Sequence, residues 1–115
     1  MKLVKSYRIS TFVPTDKLES VIAQVNQVVT LGYGNYDNVL WFSNPGTERY
    51  RPLSGSNPTE GKRGEISSVP SVKLEFSLPF DRNALERAIE LGIKKAHPWE
   101  EPVIIIDEVL EPREG

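Results

Sequence analysis

Residues 72–78 alternate with a period of two. Val72, Leu74, Phe76 and Leu78 are apolar, while Lys73, Glu75 and Ser77 between them are polar. That pattern predicts a strand with one buried face and one wetted face. Tyr7, Ile9, Thr11 and Val13 fall on one face of a second strand, Leu3 to Val13, rich in β-branched and aromatic residues. Pro14 and Pro79 close these two strands. Leu18, Ile22, Val25 and Val29 recur at helical spacing, with Asp16 and Glu19 forming a capping-box pattern ahead of them and Gly32 and Gly34 as the stop. Asp81 begins a second helix through Leu85, Ala88, Ile89 and Ile93. Pro98 disfavours helical geometry at His97, so this helix ends near Ala96. Asp37 to Ser43, with Val39, Leu40, Trp41 and Phe42, reads as a largely buried strand. Val103 to Leu110 reads as the last strand and Pro112 to Gly115 as a tail.

The stretch 44–71 is dense in Gly, Pro and Ser. A structureless loop of that length is unusual in a compact domain. Glu48 to Arg51 and Gly64 to Ser67 are therefore expected to be extended and paired. An internal echo organises the rest. Phe12-Val13-Pro14-Thr15-Asp16-Lys17 parallels Ser77-Leu78-Pro79-Phe80-Asp81-Arg82, and Leu18 to Ile22 parallels Leu85 to Ile89. Two strand–helix–strand units in series predict a single α+β domain over residues 1–115. Its fold is ferredoxin-like, βαββαβ, with two helices on one face of an antiparallel sheet and an extended hairpin insertion around 44–71.

Composition narrows the function. At 115 residues the chain is long enough to fold without staples. A net charge of −2 gives no electrostatic footprint for nucleic acid. No apolar run is long enough to span a membrane. The absence of cysteine excludes thiol chemistry and suits a cytoplasmic protein. With a single histidine, His97, a hydrolytic triad has one available base and nothing to position it.

Three ordered motifs carry a resemblance. They are Gly34-Asn35-Tyr36-Asp37; then Tyr50-Arg51-Pro52-Leu53 with Gly55, Asn57-Pro58, Gly61 and Gly64; then Ala96-His97-Pro98-Trp99-Glu100-Glu101-Pro102. Together they resemble the inserted domain of the NIF-three-like (YqfO-like) proteins, a family also labelled type-two GTP cyclohydrolase-like. The last motif and the fold also resemble CutA, a trimeric ferredoxin-like protein linked to divalent-cation tolerance. The resemblance implies a free-standing copy of the inserted domain. The dinuclear metal site of the long family members belongs to their flanking domains, so a cyclohydrolase label is not inherited. Trp99 stands where both families more often carry tyrosine.

His97, Glu100 and Asp37 are the candidate ligands for a divalent metal, although one histidine and two carboxylates make a weak set. Asn35, Tyr36, Asp37, Arg51, His97, Trp99 and Glu100 are the candidate ligand-binding residues. The helix-to-strand turns at 34–37 and 97–102 are expected at the same end of the sheet, as neighbours. Arg49 and Arg51, on one strand face with Tyr50 opposite, are expected to pair with acidic side chains. These observations favour a binding, regulatory or assembly module that self-associates, as a trimer by resemblance to CutA, with a small ligand or protein partner. It would need no catalytic residue and no cofactor. The rival readings are a metal-binding or metal-tolerance protein using the His97 turn, and an accessory subunit of a separately encoded enzyme.

Overall fold

The computed structural model describes residues 1–114, so Gly115, the end of the expected tail, lies outside the described residues. Two long strands form the centre, β1 (Lys2–Pro14) and the later of the pair, Ser67–Pro79. They pair antiparallel from Ser6↔Pro79 to Pro14↔Ser71. Their alternating apolar side chains, Ile9, Val13, Val72, Leu74, Phe76 and Leu78, are buried in the core with the helices, and the polar Thr11 is buried beside them. α1 (Leu18–Val28) follows β1, and two short strands come next, β2 (Trp41–Phe42) and β3 (Gly46–Tyr50). Both pair with Ser67–Pro79, which is therefore β4. α2 covers 82–96. β5 (Ile104–Arg113) pairs with β1 from Lys2↔Arg113 to Thr11↔Ile104. The order β2-β4-β1-β5, with β3 also on β4, is the expected antiparallel ferredoxin-like sheet.

Several local expectations are corrected. Residues Thr15–Lys17 form a 3-10 turn, and the backbone N–H of Leu18 bonds the Thr15 carbonyl. No side chain caps α1, because this tighter turn already supplies a helical entry, so the Asp16–Glu19 capping box is not formed. Asp81 does cap α2, its carboxylate accepting the Asn83 N–H at 3.0 Å. α1 stops at Val29 rather than at the glycines. There the chain turns extended and puts Val29 and Leu31 into the core. Gly34, at φ +60°, instead serves a tight turn closed by Tyr33 and Tyr36. β2 has two residues and is not buried, since it lies on the sheet edge: Trp41 is 51% exposed and Phe42 48%. The expected tail is strand as far as Arg113, held by β1.

The expected pairing within 44–71 is present in altered form. β3 and Ser67–Ser71 make a hairpin, Gly46↔Ser71 to Tyr50↔Ser67. Because β1 pairs with β4 only as far as Pro14↔Ser71, this hairpin projects past the end of β1 as an arm. Loop 51–66 closes the arm.

The middle of α2, Arg87–Ile93, is π-helical. Gly92 sits there against α1, where an added Cβ would lie 3.3 Å from Val25 Cα. Gln24 Nε2 donates to the Leu91 carbonyl at 2.8 Å, tying the two helices across this stretch. Such π segments leave carbonyls without their regular partners.

Candidate ligand cleft

α2 delivers His97 to the end of β1 and stops there. The His97 N–H still bonds the Ile93 carbonyl at 2.8 Å, but its ψ of 136° leaves the helix, as expected before Pro98. The imidazole is buried, and both nitrogens are occupied. Nε2 donates to the Phe12 carbonyl at 2.8 Å, and Nδ1 accepts the backbone N–H of Trp99 at 3.1 Å. A carbonyl can only accept and an amide N–H can only donate, so these partners define one neutral tautomer. Burial holds the ring's pKa below its ordinary 6.5, against the opposing pull of the Phe12 carbonyl and the Glu48 charge.

His97 thereby sets Trp99, whose ring centroid lies 5.2 Å away. Trp99 in turn meets Tyr50 of β3, with centroids 5.4 Å apart and planes tilted by 51°. The arm's loop is pinned to the same turn. Glu100 Oε1 accepts the Asn57 N–H at 2.9 Å, and the Thr59 hydroxyl donates to the Pro98 carbonyl at 2.8 Å. Tyr50 donates to the Glu60 carbonyl at 2.9 Å. Burial, helped by the Glu60 charge, raises the Tyr50 hydroxyl above 10.0, so it remains a donor. Between turn, loop and β3 lies a cleft of about 260 Å³, lined among others by Glu48, Tyr50, Arg51, Trp99, Glu100 and Val103.

Of the expected ligand-binding residues, Arg51, Trp99 and Glu100 meet at this cleft, and His97 supports it from behind. Asn35, Tyr36 and Asp37 do not join them. Their turn lies near the start of β1, in the region where Gly32 and Gly34 approach Val4, Ser6 and Arg113. Arg113 stacks on Tyr33 at 3.4 Å, and Tyr36 is 76% exposed. From Val4 to Phe12 is roughly 26 Å of strand at about 3.3 Å per residue. The topology requires this separation. α1 runs back from the end of β1 to its start, whereas α2 begins at the start of β1 and runs to its end. The two turns therefore occupy opposite ends, which overturns the expectation that they are neighbours.

The triad of His97, Glu100 and Asp37 is not assembled. Among the described residues no three metal-binding side chains converge. His97 also has no lone pair to offer while Nδ1 accepts from Trp99. Arg49 and Arg51 were expected to pair with acids, yet neither guanidinium enters an ion pair among the described residues. Both are exposed. Sequence reasoning missed Glu48 and Tyr50 as cleft residues. The signal available was the alternation of β3, which puts them on one strand face.

No family model matches the chain. It is 36% identical over 98 residues to a GTP cyclohydrolase 1 type 2 homolog of Listeria innocua serovar 6a, covering 84% of this chain and 25% of that protein. It is 31% identical over 105 residues to the Staphylococcus aureus (strain Mu50) counterpart, covering 91% and 28%. A Bacillus cereus protein related to NIF3 superposes with a TM-score of 0.74 at 22% identity, over 95% of this chain and 27% of that one. This chain is related to one segment of the NIF3-like proteins. It spans about a quarter of the length of the curated relatives it matches. CutA1 from Oryza sativa shares the fold, with a TM-score of 0.64 at 13% identity over 96% of this chain and 85% of that one. The segments that carry the NIF3-like resemblance divide between two places. Those at 50–64 and 96–102 build the cleft, and that at 34–37 forms the distant turn.

Proposed function

We propose that this chain is a non-catalytic binding and assembly module acting in the cytoplasm as a single NIF3-like domain, and that the cleft between Tyr50 and Trp99 is its ligand site. One observation carries the reading. The chain's only histidine spends both ring nitrogens holding Trp99 and β1, which leaves the aromatic cleft as the feature it serves. That arrangement supports binding over catalysis, because a base with both nitrogens engaged cannot take a proton from a substrate. It also weighs against a metal site at the His97 turn. The cyclohydrolase name belongs to relatives of which this chain matches about a quarter, and it is not carried over to this segment.

Self-association, as a trimer, is part of the proposal. Among the described residues the outer edges of β5 and of β2 with β3 each lack a neighbour, and Ile105, Ile106, Trp41 and Phe42 are exposed along them. Unpaired edges with apolar side chains favour pairing between copies.

NMR shift mapping with a mixed fragment set tests the cleft. Perturbations clustered at 48–51 and 98–101, and lost in Trp99→Ala, are expected; perturbations elsewhere, or none, reject it. Sedimentation tests assembly: a trimer at micromolar concentration is expected, and a monomer rejects it.

A further inference from the structure

We infer that the cleft takes an organic ammonium ion, seated against the Tyr50 and Trp99 rings with its charge on Glu48. This rests on the reading of the cleft as a ligand site and names the class of ligand. Glu48 and Tyr50 lie two residues apart on β3 and so share one face, while Arg49 and Arg51 border the same cleft. Both Glu48 and Tyr50 line the cleft, and Trp99 faces Tyr50 there. Glu48 Oε1 is shut from solvent and has no hydrogen-bond partner among the described residues. No Lys or Arg among the described residues lies within ion-pair distance of its carboxylate. Leaving a buried acceptor unpartnered is costly, and more so when it is charged. A cation entering the cleft relieves that cost.

The nearby imidazole cannot do so, because its one N–H already serves the Phe12 carbonyl. Aromatic faces beside a carboxylate suit an alkylammonium better than a bare metal ion. Ring quadrupoles attract a weakly hydrated cation, whereas a metal needs several converging donors. The lining carries Glu48, Glu60, Glu100 and Glu101 against Arg49 and Arg51, so carboxylates outnumber guanidiniums there, and Glu100 is already engaged by Asn57.

The test uses the full chain carrying Trp41→Phe, so that Trp99 is the single fluorescent indole. Spermidine, tetramethylammonium chloride, magnesium chloride and sodium phosphate are titrated separately at constant ionic strength. Spermidine and tetramethylammonium should shift Trp99 emission saturably, with magnesium and phosphate silent. Glu48→Gln should weaken spermidine at least tenfold, and Lys2→Ala, at the opposite end of β1, should leave it within twofold. Glu48→Ala is measured beside Glu48→Gln, with a thermal melt of each to confirm folding. Equal spermidine affinity with and without Glu48 overturns the inference. A phosphate response lost in Arg51→Ala overturns the ammonium class while leaving the cleft as a ligand site. Silence towards every probe, with no NMR fragment response at 48–51 and 98–101, rejects both.

Discussion

The imidazole of His97 accepts the backbone N–H of Trp99, two residues on, at 3.1 Å, while its other nitrogen is tied to Phe12 across 85 residues of chain. One side chain thus joins the end of α2, the end of β1 and the aromatic wall of the cleft. Its removal leaves a buried carbonyl and an amide without partners.

His97→Ala should lower stability by about 2–4 kcal/mol, combining two lost hydrogen bonds with a small cavity. Thermal unfolding measures the loss. Trp99 emission should shift to the red at temperatures where the protein is still folded. If the Tm is unchanged, the buried-bridge account of His97 is wrong. Zinc or nickel should not raise the Tm of the wild type relative to His97→Ala, and a metal-dependent rise seen only in the wild type would restore the metal reading.

Acid should act in two steps. The His97 pKa is depressed in the folded protein, so below 6.5 the unfolded chain takes up the proton first. Stability should begin to fall as the pH drops through about 6.5 and stop falling below the folded value. Glu75 acts lower down. Its carboxylate accepts from Lys73 at 2.8 Å, from Ser10 at 3.0 Å and from Arg8 at 3.2 Å. These bonds, Lys73 foremost, outweigh burial and hold its pKa below 4.5. Its contribution is complete above 4.5 and is lost as the pH falls through the lower folded value. Denaturant melts between pH 3 and 8 on wild type, His97→Ala and Glu75→Gln should show the upper step missing in the first variant and the lower step reduced in the second.

Gly92→Val should destabilise by about 1–3 kcal/mol through overpacking. Even a Cβ at this position meets Val25 Cα and Val25 Cγ2 at 3.3 Å. Gly92→Ala should cost less, and the order wild type, alanine, valine in chemical denaturation is the check. A valine variant as stable as the wild type would mean the helices separate freely at the π segment.

Much of the fold was legible in the sequence, because strands and helices write their periodicity locally. The alternation at 72–78 and at Tyr7 to Val13, the Asp81 cap and the stop before Pro98 depend on neighbours within a few residues. What failed locally was decided by competition: the 3-10 turn displaced the Asp16 cap, and the edge position shortened and exposed β2. The candidate site was only half legible. The motifs supplied Trp99, Glu100 and Arg51, but the direction of two helices relative to β1 separated Asp37 from His97. Chain direction across a sheet is set by long-range pairing, which no short motif encodes. By itself the sequence determined the elements, their order and the NIF3-like resemblance. Only the tertiary structure decided that His97 is a structural hinge-pin with no free nitrogen, and that Glu48 and Tyr50 stand at the cleft, since both depend on groups up to 85 residues apart.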